Sequence, residues 1–253
     1  HRNFRYIVME LCGPSLSSTR RALPDKRMTL PTVIKMADAM LRCIQEFHSF
    51  GYIHRDIKPG NFLIKNDRRK PLALTDFGLS KLYIDRDTGE HLKMMKKTGF
   101  TGTCRYASVH AHHNSDLSRR DDLISWMYSI VELVQGRLPW PGSSDREYTL
   151  HVKERIKATE LCANLPSQFV EIYRYIKKLK FEDEPNYDLI SGYIHEAAHS
   201  QQDSQLEFDW EMMQHEELEN ISPIPLHIPP PDDEYNLEWD YKRESVQGCC
   251  GCI

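Results

Sequence analysis

Four polar residues have the types and spacing that a metal-dependent phosphoryl transfer needs. Asp56, Lys58 and Asn61 lie in the run Tyr52–Ile64, which reads YIHRDIKPGNFLI, and Asp76 follows further along the chain. Mg²⁺ prefers oxygen ligands and takes one or two from the protein when phosphates and water supply the others. Asn61 and Asp76 would provide that pair. Asp56 would accept a proton from an incoming hydroxyl group, and Lys58 would place positive charge where negative charge builds up.

A predicted hairpin brings two of these residues together. The apolar runs Phe62–Ile64 and Leu72–Thr75 flank the polar sequence KNDRRKP, a pattern typical of a hairpin with a long loop. Antiparallel strands place the residue before the first strand beside the residue after the second. We therefore expect Asn61 and Asp76 to meet at one end of the ribbon, which Asp56 enters through a short connection.

Helical patterns surround this hairpin. The apolar residues of Thr32–His48 fall on one helical face, and Gly51 supplies a stop. The stretch Asp121–Gly136 is apolar nearly all round, as in a buried central helix. Two further helical patterns occupy residues 147–163 and 166–181.

The two ends of the chain have different patterns. Residues 5–11, RYIVMEL, alternate and are β-branched, which predicts a strand. Residues 201–253 hold thirteen acidic and two basic residues, so the net charge of −4 leaves +7 on residues 1–200. After about Asp209 the helical period fades into prolines and acids, and we expect an extended or disordered tail.

Composition excludes several classes of protein. Of the 253 residues, 40% are hydrophobic, and no window offers the roughly eighteen consecutive apolar residues of a membrane span. The N-terminus lacks the plan of a signal peptide, so we expect a cytoplasmic or nuclear protein. Four scattered cysteines lack the spacing of disulfides or a zinc site: Cys12, Cys43, Cys104 and Cys162.

Two motifs together carry a resemblance to a known family. The sequence HRDIKPGN at residues 54–61 resembles the protein-kinase catalytic loop H-R-D-x-x-x-x-N. The sequence DFG at residues 76–78 resembles the magnesium-binding motif that follows it in kinases. The resemblance implies an α+β, protein-kinase-like fold, represented mainly by the α-helical C-terminal lobe with its short catalytic hairpin. It also implies the cofactors ATP and Mg²⁺.

Further strings resemble the casein kinase 1 superfamily of serine/threonine kinases. They are TGTCRYAS at 101–108, SRRDDL at 118–123 and GRLPW at 136–140. The strings HSFGYIHRDIKP, VKERI and EFDWE look more like the tau tubulin kinase branch, so the branch stays open. Where most kinases carry A-P-E, this chain has SVH at 108–110, a departure that the superfamily shares.

The resemblance implies roles at matching positions. Thr103 would hydrogen-bond near Asp56 and Lys58, and Asp122 would tie the central helix to the backbone of the catalytic loop. The gatekeeper and the hinge that pairs with adenine would be formed by Met9 and by Glu10, Leu11 and Cys12.

The superfamily favours acidic or already phosphorylated substrate sites, which implies basic residues that bind the anion. Arg105, Arg119 and Arg120 stand at matching positions, and Lys153 is a weaker candidate. An alternative for Arg119 and Arg120 is a solvated charge run before a helix that Asp122 caps.

Expected kinase parts are missing before the hinge. The chain starts at His1, and no Gly-rich loop, V-A-I-K-type lysine or partner glutamate precedes residues 5–11. We therefore expect a fragment that does not transfer phosphate efficiently alone. Its predicted parts are a last small-lobe strand and hinge (1–12), the C-terminal lobe (13–208) and an acidic tail (209–253).

Three features of the sequence have two readings each. HAHH at 110–113 is either a metal cluster or, as we expect, a polar loop without partner ligands. The ending GCCGCI has Cys249, Cys250 and Cys252 either as lipidated residues or as free thiols on a tail. The acidic tail either only solubilises the protein or lies in the substrate groove as an autoinhibitor, with Ser222 as a self-phosphorylation site.

The sequence thus predicts an ATP- and magnesium-dependent serine/threonine protein kinase of the casein kinase 1 superfamily. The alternative is a non-catalytic, pseudokinase-like scaffold that kept the lobe as a binding surface. We expect protein substrates, no nucleic-acid partner and a monomer. Lipidation would add association with the plasma membrane.

Overall fold

Helices make up most of the ordered elements in the computed structural model, which describes residues 8–140, 145–200, 207–213 and 220–221. The helices of this part are α1 (Leu16–Ala22), α2 (Leu30–Ser49), α3 (Val109–His112), α4 (Arg119–Gln135), α5 (Arg146–Arg155), α6 (Ala158–Leu161), α7 (Ser167–Lys178) and α8 (Tyr187–Ser200). The strands are β1 (Tyr52–Ile53), β2 (Phe62–Ile64), β3 (Leu72–Leu74) and β4 (Lys81–Leu82). The expected mainly helical architecture with a short hairpin is confirmed.

Helix α2 packs against β1 and β3, which lie next to the candidate site. Pro31 lies in its first turn, where a backbone N–H is not needed, and its apolar face is buried. The helix ends at Ser49, and Gly51 follows with a φ of +83°. A Cβ at Gly51 would lie 2.6 Å from the Ile84 side chain, so only glycine fits here. The predicted glycine stop is confirmed.

Helix α4 is buried on nearly all sides, as the sequence predicts. The Asp121 carboxylate accepts the backbone N–H of Ser118 at 2.9 Å, which is one half of a capping box. The Trp126 indole N–H donates to the Ala37 carbonyl at 3.1 Å and ties α4 to α2. Gly136 ends the helix with a φ of +75°, which glycine adopts without strain.

Strands β2 and β3 form the predicted antiparallel hairpin. Phe62 pairs with Leu74, and one step further out the Thr75 N–H donates to the Asn61 carbonyl at 2.9 Å. Asp76 follows Thr75 directly. The hairpin therefore brings Asn61 next to the segment that starts at Asp76, as expected.

Strands β1 and β4 form a second short ribbon. Tyr52 pairs with Leu82 and Ile53 with Lys81. This pairing holds the start of the catalytic loop beside the segment that follows residues 76–78, so both ribbons converge on the candidate site.

The strand predicted at residues 5–11 is not found where the structure describes it. Residues 1–7 lie outside the described residues, and residues 8–14 form no strand. Val8 and Leu11 are exposed by 86% and 66%. A β-strand is stabilised by a paired neighbour, and within the described residues no strand pairs with residues 8–11.

The helical patterns in the second half of the chain need two corrections. The pattern at 147–163 divides into α5 and α6 because the buried Ile156 adopts an extended conformation that ends α5. Helices α1 and α8 were not predicted, although α8 packs against both α2 and α7.

The predicted flexible tail begins too early. Residues 207–213, which we call the strap, pack against the lobe, and Asp209–Met212 form a 3₁₀-helix. Phe208 and Trp210 are buried, with their rings stacked at 4.5 Å. The prediction of a tail is therefore wrong for residues 209–213. Residues 214–219 and 222–253 lie outside the described residues.

Candidate active site

The backbone of the catalytic loop is held from beneath by Asp122, at the start of α4. Its two carboxylate oxygens accept the N–H groups of His54 at 2.7 Å and Arg55 at 2.8 Å. The His48 imidazole lies 2.9 Å from the same carboxylate. Burial alone would raise the pKa of Asp122, but these hydrogen bonds outweigh it and the pKa is lowered. The tie predicted for Asp122 is present.

His54 connects the catalytic loop to the hairpin. Its Nδ1 accepts the Asp56 N–H at 3.3 Å, and its Nε2 lies 3.0 Å from the Thr75 carbonyl. A neutral imidazole with its proton on Nε2 satisfies both contacts. The residue before Asp76 and the backbone of Asp56 are thereby fixed relative to each other.

Asp56 is the point where the catalytic loop meets the segment at residues 101–108. One of its oxygens accepts the Thr103 N–H at 2.8 Å and the Thr103 hydroxyl at 2.7 Å. Its other oxygen lies 2.5 Å from Lys58 Nζ, which also donates to the Thr103 hydroxyl at 3.1 Å. The contacts predicted for Thr103 are present, and the three side chains form one network.

The open end of the hairpin offers oxygen atoms that fit a magnesium ion. The Asn61 amide N–H donates to the Asp56 carbonyl at 2.9 Å, which leaves the side-chain oxygen of Asn61 available as a ligand. Asp76 is exposed on the other side of the same end. Among the described residues no group of three or more His, Cys, Asp or Glu gathers for a metal. A site with two protein ligands suits Mg²⁺ that is shared with phosphates.

Two residues of the site hold a left-handed backbone conformation without being glycine. Arg55 has a φ of +67° and Asp76 a φ of +66°. This conformation is unfavourable by about 1–3 kcal/mol for such residues and recurs at functional sites. Asp122 holds Arg55 in place through its N–H, so the structure around the loop compensates for the strain.

Gly102 allows the two segments to approach. It has a φ of +93°, and a Cβ at this position would lie 2.5 Å from the Arg55 carbonyl oxygen. Any larger residue would push residues 101–103 away from the catalytic loop. The sequence offered this signal in TGT, but only the structure shows what the glycine faces.

The predicted hinge residues lie at the exposed beginning of the described chain. Met9 and Leu11 are exposed by 59% and 66%, whereas Cys12 is buried. The Glu10 carboxylate lies 3.1 Å from Lys65 Nζ, and this contact raises the pKa of Lys65. Their role in adenine binding stays a prediction.

The anion-binding prediction for Arg119 and Arg120 is wrong. The Arg119 guanidinium is buried, lies 4.6 Å from the Tyr83 ring and donates to the Glu182 carbonyl at 3.3 Å. Arg120 donates to the Leu179 carbonyl at 3.0 Å. Both side chains are directed into the body of the lobe and bind its backbone, so neither faces a substrate.

Arg105 and Lys153 are also occupied inside the protein. Arg105 lies 2.9 Å from Glu132, whose carboxylate also accepts the Tyr106 hydroxyl at 2.5 Å. Arg105 stays partly exposed, so its anion-binding role remains a prediction. Lys153 is fully buried, and its prediction as a surface anion-binding residue is wrong.

The three histidines of HAHH each have different surroundings in the lobe. His110 lies 2.8 Å from Asp121, and His113 lies 2.9 Å from Glu154. His112 is buried and faces inward. The cluster thus serves to attach the segment after residue 108 to α4 and α5.

Sequence reasoning missed two contacts that shape the site. Lys81 forms a bidentate contact with the buried Asp116 at 2.6 and 2.8 Å. Asp116 also accepts the Met95 N–H at 3.1 Å and so anchors the long segment between residues 76–78 and residues 101–108. No pattern in the sequence pairs these residues. The role of His54, in contrast, was available from its place in the catalytic-loop motif.

Several predictions fall outside the described residues. Ser222 and the terminal cysteines Cys249, Cys250 and Cys252 belong to this part of the chain. No helix in the described part combines the length and the apolar character that crossing a membrane requires.

Comparisons with known proteins agree with this geometry. The family model of the protein kinase domain matches residues 1–207. A probable serine/threonine-protein kinase of Dictyostelium discoideum is 37% identical over 215 residues, which are 84% of this chain and 43% of that protein. The chain thus spans less than half the length of this relative. With a family model that covers most of its residues and a hairpin that brings both kinase motifs together, the chain belongs to the protein kinase domain family.

Proposed function

We propose that this chain forms the large lobe of an ATP- and Mg²⁺-dependent serine/threonine protein kinase of the casein kinase 1 superfamily. The observation that carries the proposal is the network of Asp56, Lys58 and Thr103, which lies next to Asn61 at the open end of the hairpin. The identity to a probable serine/threonine kinase supports the same chemistry.

Each residue of the network has one task in this reaction. Asp56 accepts the proton of a substrate hydroxyl while that oxygen attacks the γ-phosphorus of ATP, and the bond from this phosphorus to the bridging oxygen breaks to release ADP. Lys58 places its ammonium group next to the transferring phosphoryl group and stabilises its charge. Thr103 keeps the Asp56 carboxylate oriented through two hydrogen bonds. Mg²⁺, when bound at Asn61 and Asp76, supplies charge neutralisation for the phosphates.

The test is transfer of the γ-phosphate from ATP to casein by the full-length product of the gene. We expect transfer to serine and threonine, and we expect the isolated 253-residue chain to be far less active. Lys58→Met should abolish transfer, whereas Lys157→Met, a change at an exposed lysine outside the site, should leave it unchanged. Equal activity of both variants would refute the proposal.

We also propose that the kinase prefers acidic or already phosphorylated sites. The net charge of +7 on residues 1–200 supports this preference. Three lysines that precede residues 101–108 are exposed: Lys93, Lys96 and Lys97. Positive charge on this segment would attract an acidic peptide toward Asp56.

Charge-matched variants test this preference. Replacing the three lysines by glutamine should raise KM for an acidic peptide and leave KM for ATP unchanged. The control replaces three exposed lysines that lie outside residues 93–108 in the sequence, Lys157, Lys178 and Lys180. A similar rise in KM for both variants would show that only the overall charge matters.

A non-catalytic scaffold remains the second candidate function. The chain spans 43% of the relative's length, so catalysis by the whole protein is itself a proposal. The scaffold predicts that the full-length protein shows no transfer above the level of its Asp56→Asn variant. Transfer that depends on Asp56 would exclude it.

A further inference from the structure

Lys153, on α5, is a buried cation whose hydrogen bonds all go to neutral groups. Its Nζ donates to the Cys104 carbonyl at 2.8 Å and to the Ala107 carbonyl at 2.7 Å. It lies 3.2 Å from His112 Nε2. The side chain is completely buried, and no carboxylate in the described part of the chain lies within salt-bridge distance.

Aromatic rings complete the surroundings of this ammonium group. Nζ lies 5.1 Å from the centre of the Tyr128 ring and 4.9 Å from that of Trp140. The Trp140 indole N–H donates to the Arg105 carbonyl at 2.8 Å. Lys153 and Trp140 together therefore bind three backbone carbonyls of residues 104–107.

The segment held in this way is the one that carries Thr103. The Thr103 carbonyl accepts the N–H groups of Tyr106 at 2.9 Å and Ala107 at 3.0 Å, so residues 103–107 form one compact turn. On its other side Thr103 binds Asp56 through its N–H and its hydroxyl. A displacement of the carbonyls that Lys153 holds would move Thr103 away from Asp56.

We infer that Lys153 is a positioning residue for phosphoryl transfer, which holds residues 104–107 so that Thr103 stays bonded to Asp56. The inference rests on the proposed kinase function for its kinetic consequence, whereas its structural part stands alone. Burying an ammonium group is unfavourable unless hydrogen bonds compensate, and replacing such a group by an apolar one often leaves stability unchanged. Its place under this turn is thus explained by the carbonyls that it binds.

Amide hydrogen exchange of the 253-residue chain tests the structural part. Lys153→Met keeps the length and apolar stem but removes both donors, and Lys153→Arg keeps charge and donors. In Lys153→Met we expect the amides of Thr103, Tyr106 and Ala107 to exchange about tenfold faster or more, with smaller changes in α2 and α4. Lys153→Arg should restore part of the protection. Lys157→Met, an exposed lysine near the same helix, should change nothing.

Two results would overturn the inference. One is unchanged exchange of residues 103–107 in Lys153→Met. The other is an equal acceleration everywhere, which would show that the lysine only stabilises the fold. If Lys153→Met does not fold, Trp140→Phe decides, because it removes only the bond to the Arg105 carbonyl. It should then accelerate residues 103–107 selectively, and a uniform or absent effect would contradict the inference.

Kinetics of the full-length protein test the consequence for catalysis. Lys153→Met should lower kcat and raise KM for the protein substrate, while KM for ATP stays unchanged, because the ATP-binding residues lie elsewhere. Selective loss of protection without any measurable transfer in the unmodified protein would refute the proposed function but support the positioning of residues 104–107. Normal kinetics with lost protection would refute the catalytic consequence.

Discussion

Two aspartates of this chain each accept the N–H and the hydroxyl of one threonine, yet they belong to very different regions. Asp56 accepts the N–H and the hydroxyl of Thr103 at 2.8 and 2.7 Å. Asp209, in the strap, accepts the same groups of Thr29 at 2.7 and 2.5 Å. The first pair joins segments 47 residues apart, and the second joins segments 180 residues apart.

The surroundings of the two carboxylates explain the difference in role. Asp209 accepts a third hydrogen bond, from the Thr32 hydroxyl at 2.9 Å, and lies next to the buried Trp210. The second oxygen of Asp56 instead faces Lys58, whose side chain is 25% exposed. A carboxylate whose bonds are completed by neutral groups in an apolar setting stabilises the fold. One that faces a partly exposed cation is available for chemistry.

The largest expected effect separates the two aspartates by activity. Asp56→Asn removes the proton acceptor, so we expect kcat of the full-length protein to fall by about 10²- to 10⁴-fold. Asp25→Asn, at an exposed aspartate outside the site, serves as the control. A fall of less than tenfold for Asp56→Asn would make the two aspartates equivalent and remove the basis of the comparison.

The next effect concerns the stability that the strap provides. Trp210→Ala should lower the free energy of unfolding by about 3–5 kcal/mol, because it empties a site in the core. Trp210→Phe should have a smaller effect, since the indole N–H is buried and has no hydrogen-bond partner in the described part of the chain. Denaturant unfolding of both variants measures the difference. Equal losses would mean that a phenyl ring recovers none of the stability that the indole ring provides.

A smaller effect is expected when Asp209 itself is changed. Asp209→Asn replaces one acceptor oxygen by a donor that faces the Thr29 N–H or a threonine hydroxyl, so we expect a loss of about 1–3 kcal/mol. The transfer rate of the folded protein should remain within a factor of two. A large loss of activity in the folded variant would show that the strap also acts on the site.

Taken per pH unit, the smallest expected effect is a dependence of the free energy of unfolding on pH that comes from Lys153, beside the segment of Thr103. Burial lowers the pKa of Lys153 to about 7, and it lowers that of the neighbouring His112 to about 4. Lys153 in the unfolded chain keeps its proton up to about pH 10. Between about pH 7 and this value the unfolded chain therefore binds more protons than the folded chain. Stability should therefore rise with pH above 7, by at most about 1.4 kcal/mol per pH unit.

Comparing unfolding curves of the unmodified chain with those of Lys153→Met isolates this contribution, because the other groups near Nζ, Cys104 and Tyr128, stay in both. Trp210→Ala should lower the free energy of unfolding by the same amount at every pH. Both the charged and the neutral form of Lys153 have the two N–H donors that the Cys104 and Ala107 carbonyls need. The turn at residues 103–107 should therefore keep these hydrogen bonds across this pH range. An identical slope in Lys153→Met would contradict the prediction.

The sequence was most informative where function depends on short spacings. The positions of Asp56, Lys58 and Asn61 follow from one loop, and the hairpin pattern adds Asp76 because strand pairing fixes which residues face each other. The tie from Asp122 to the loop came from the family resemblance, and its geometry is present.

The sequence was least informative where a side chain chooses among distant partners. Arg119 and Lys153 are basic residues in polar stretches, and nothing nearby in the sequence shows that both are buried against carbonyls. The strap was interpreted as part of the tail because seven residues are too few for a periodic pattern. It is held by the hydrogen bonds of Asp209 to Thr29 and Thr32 at the start of α2, which lies about 180 residues earlier in the chain.

The β2–β3 hairpin, which has the proposed metal ligands Asn61 and Asp76 at its open end, is attached at both of its ends. At the loop end Arg68 makes a bidentate ion pair with Glu211 of the strap, at 3.0 and 3.1 Å. Three paired residues at about 3.3 Å each give this ribbon a length of roughly 10 Å. The strap binds the loop end of the ribbon, and Asn61 lies at the opposite end. We therefore expect a change in the length of the loop at 65–71 to shift Asn61 and Asp76, the proposed metal ligands, without altering Asp56, Lys58 or Thr103.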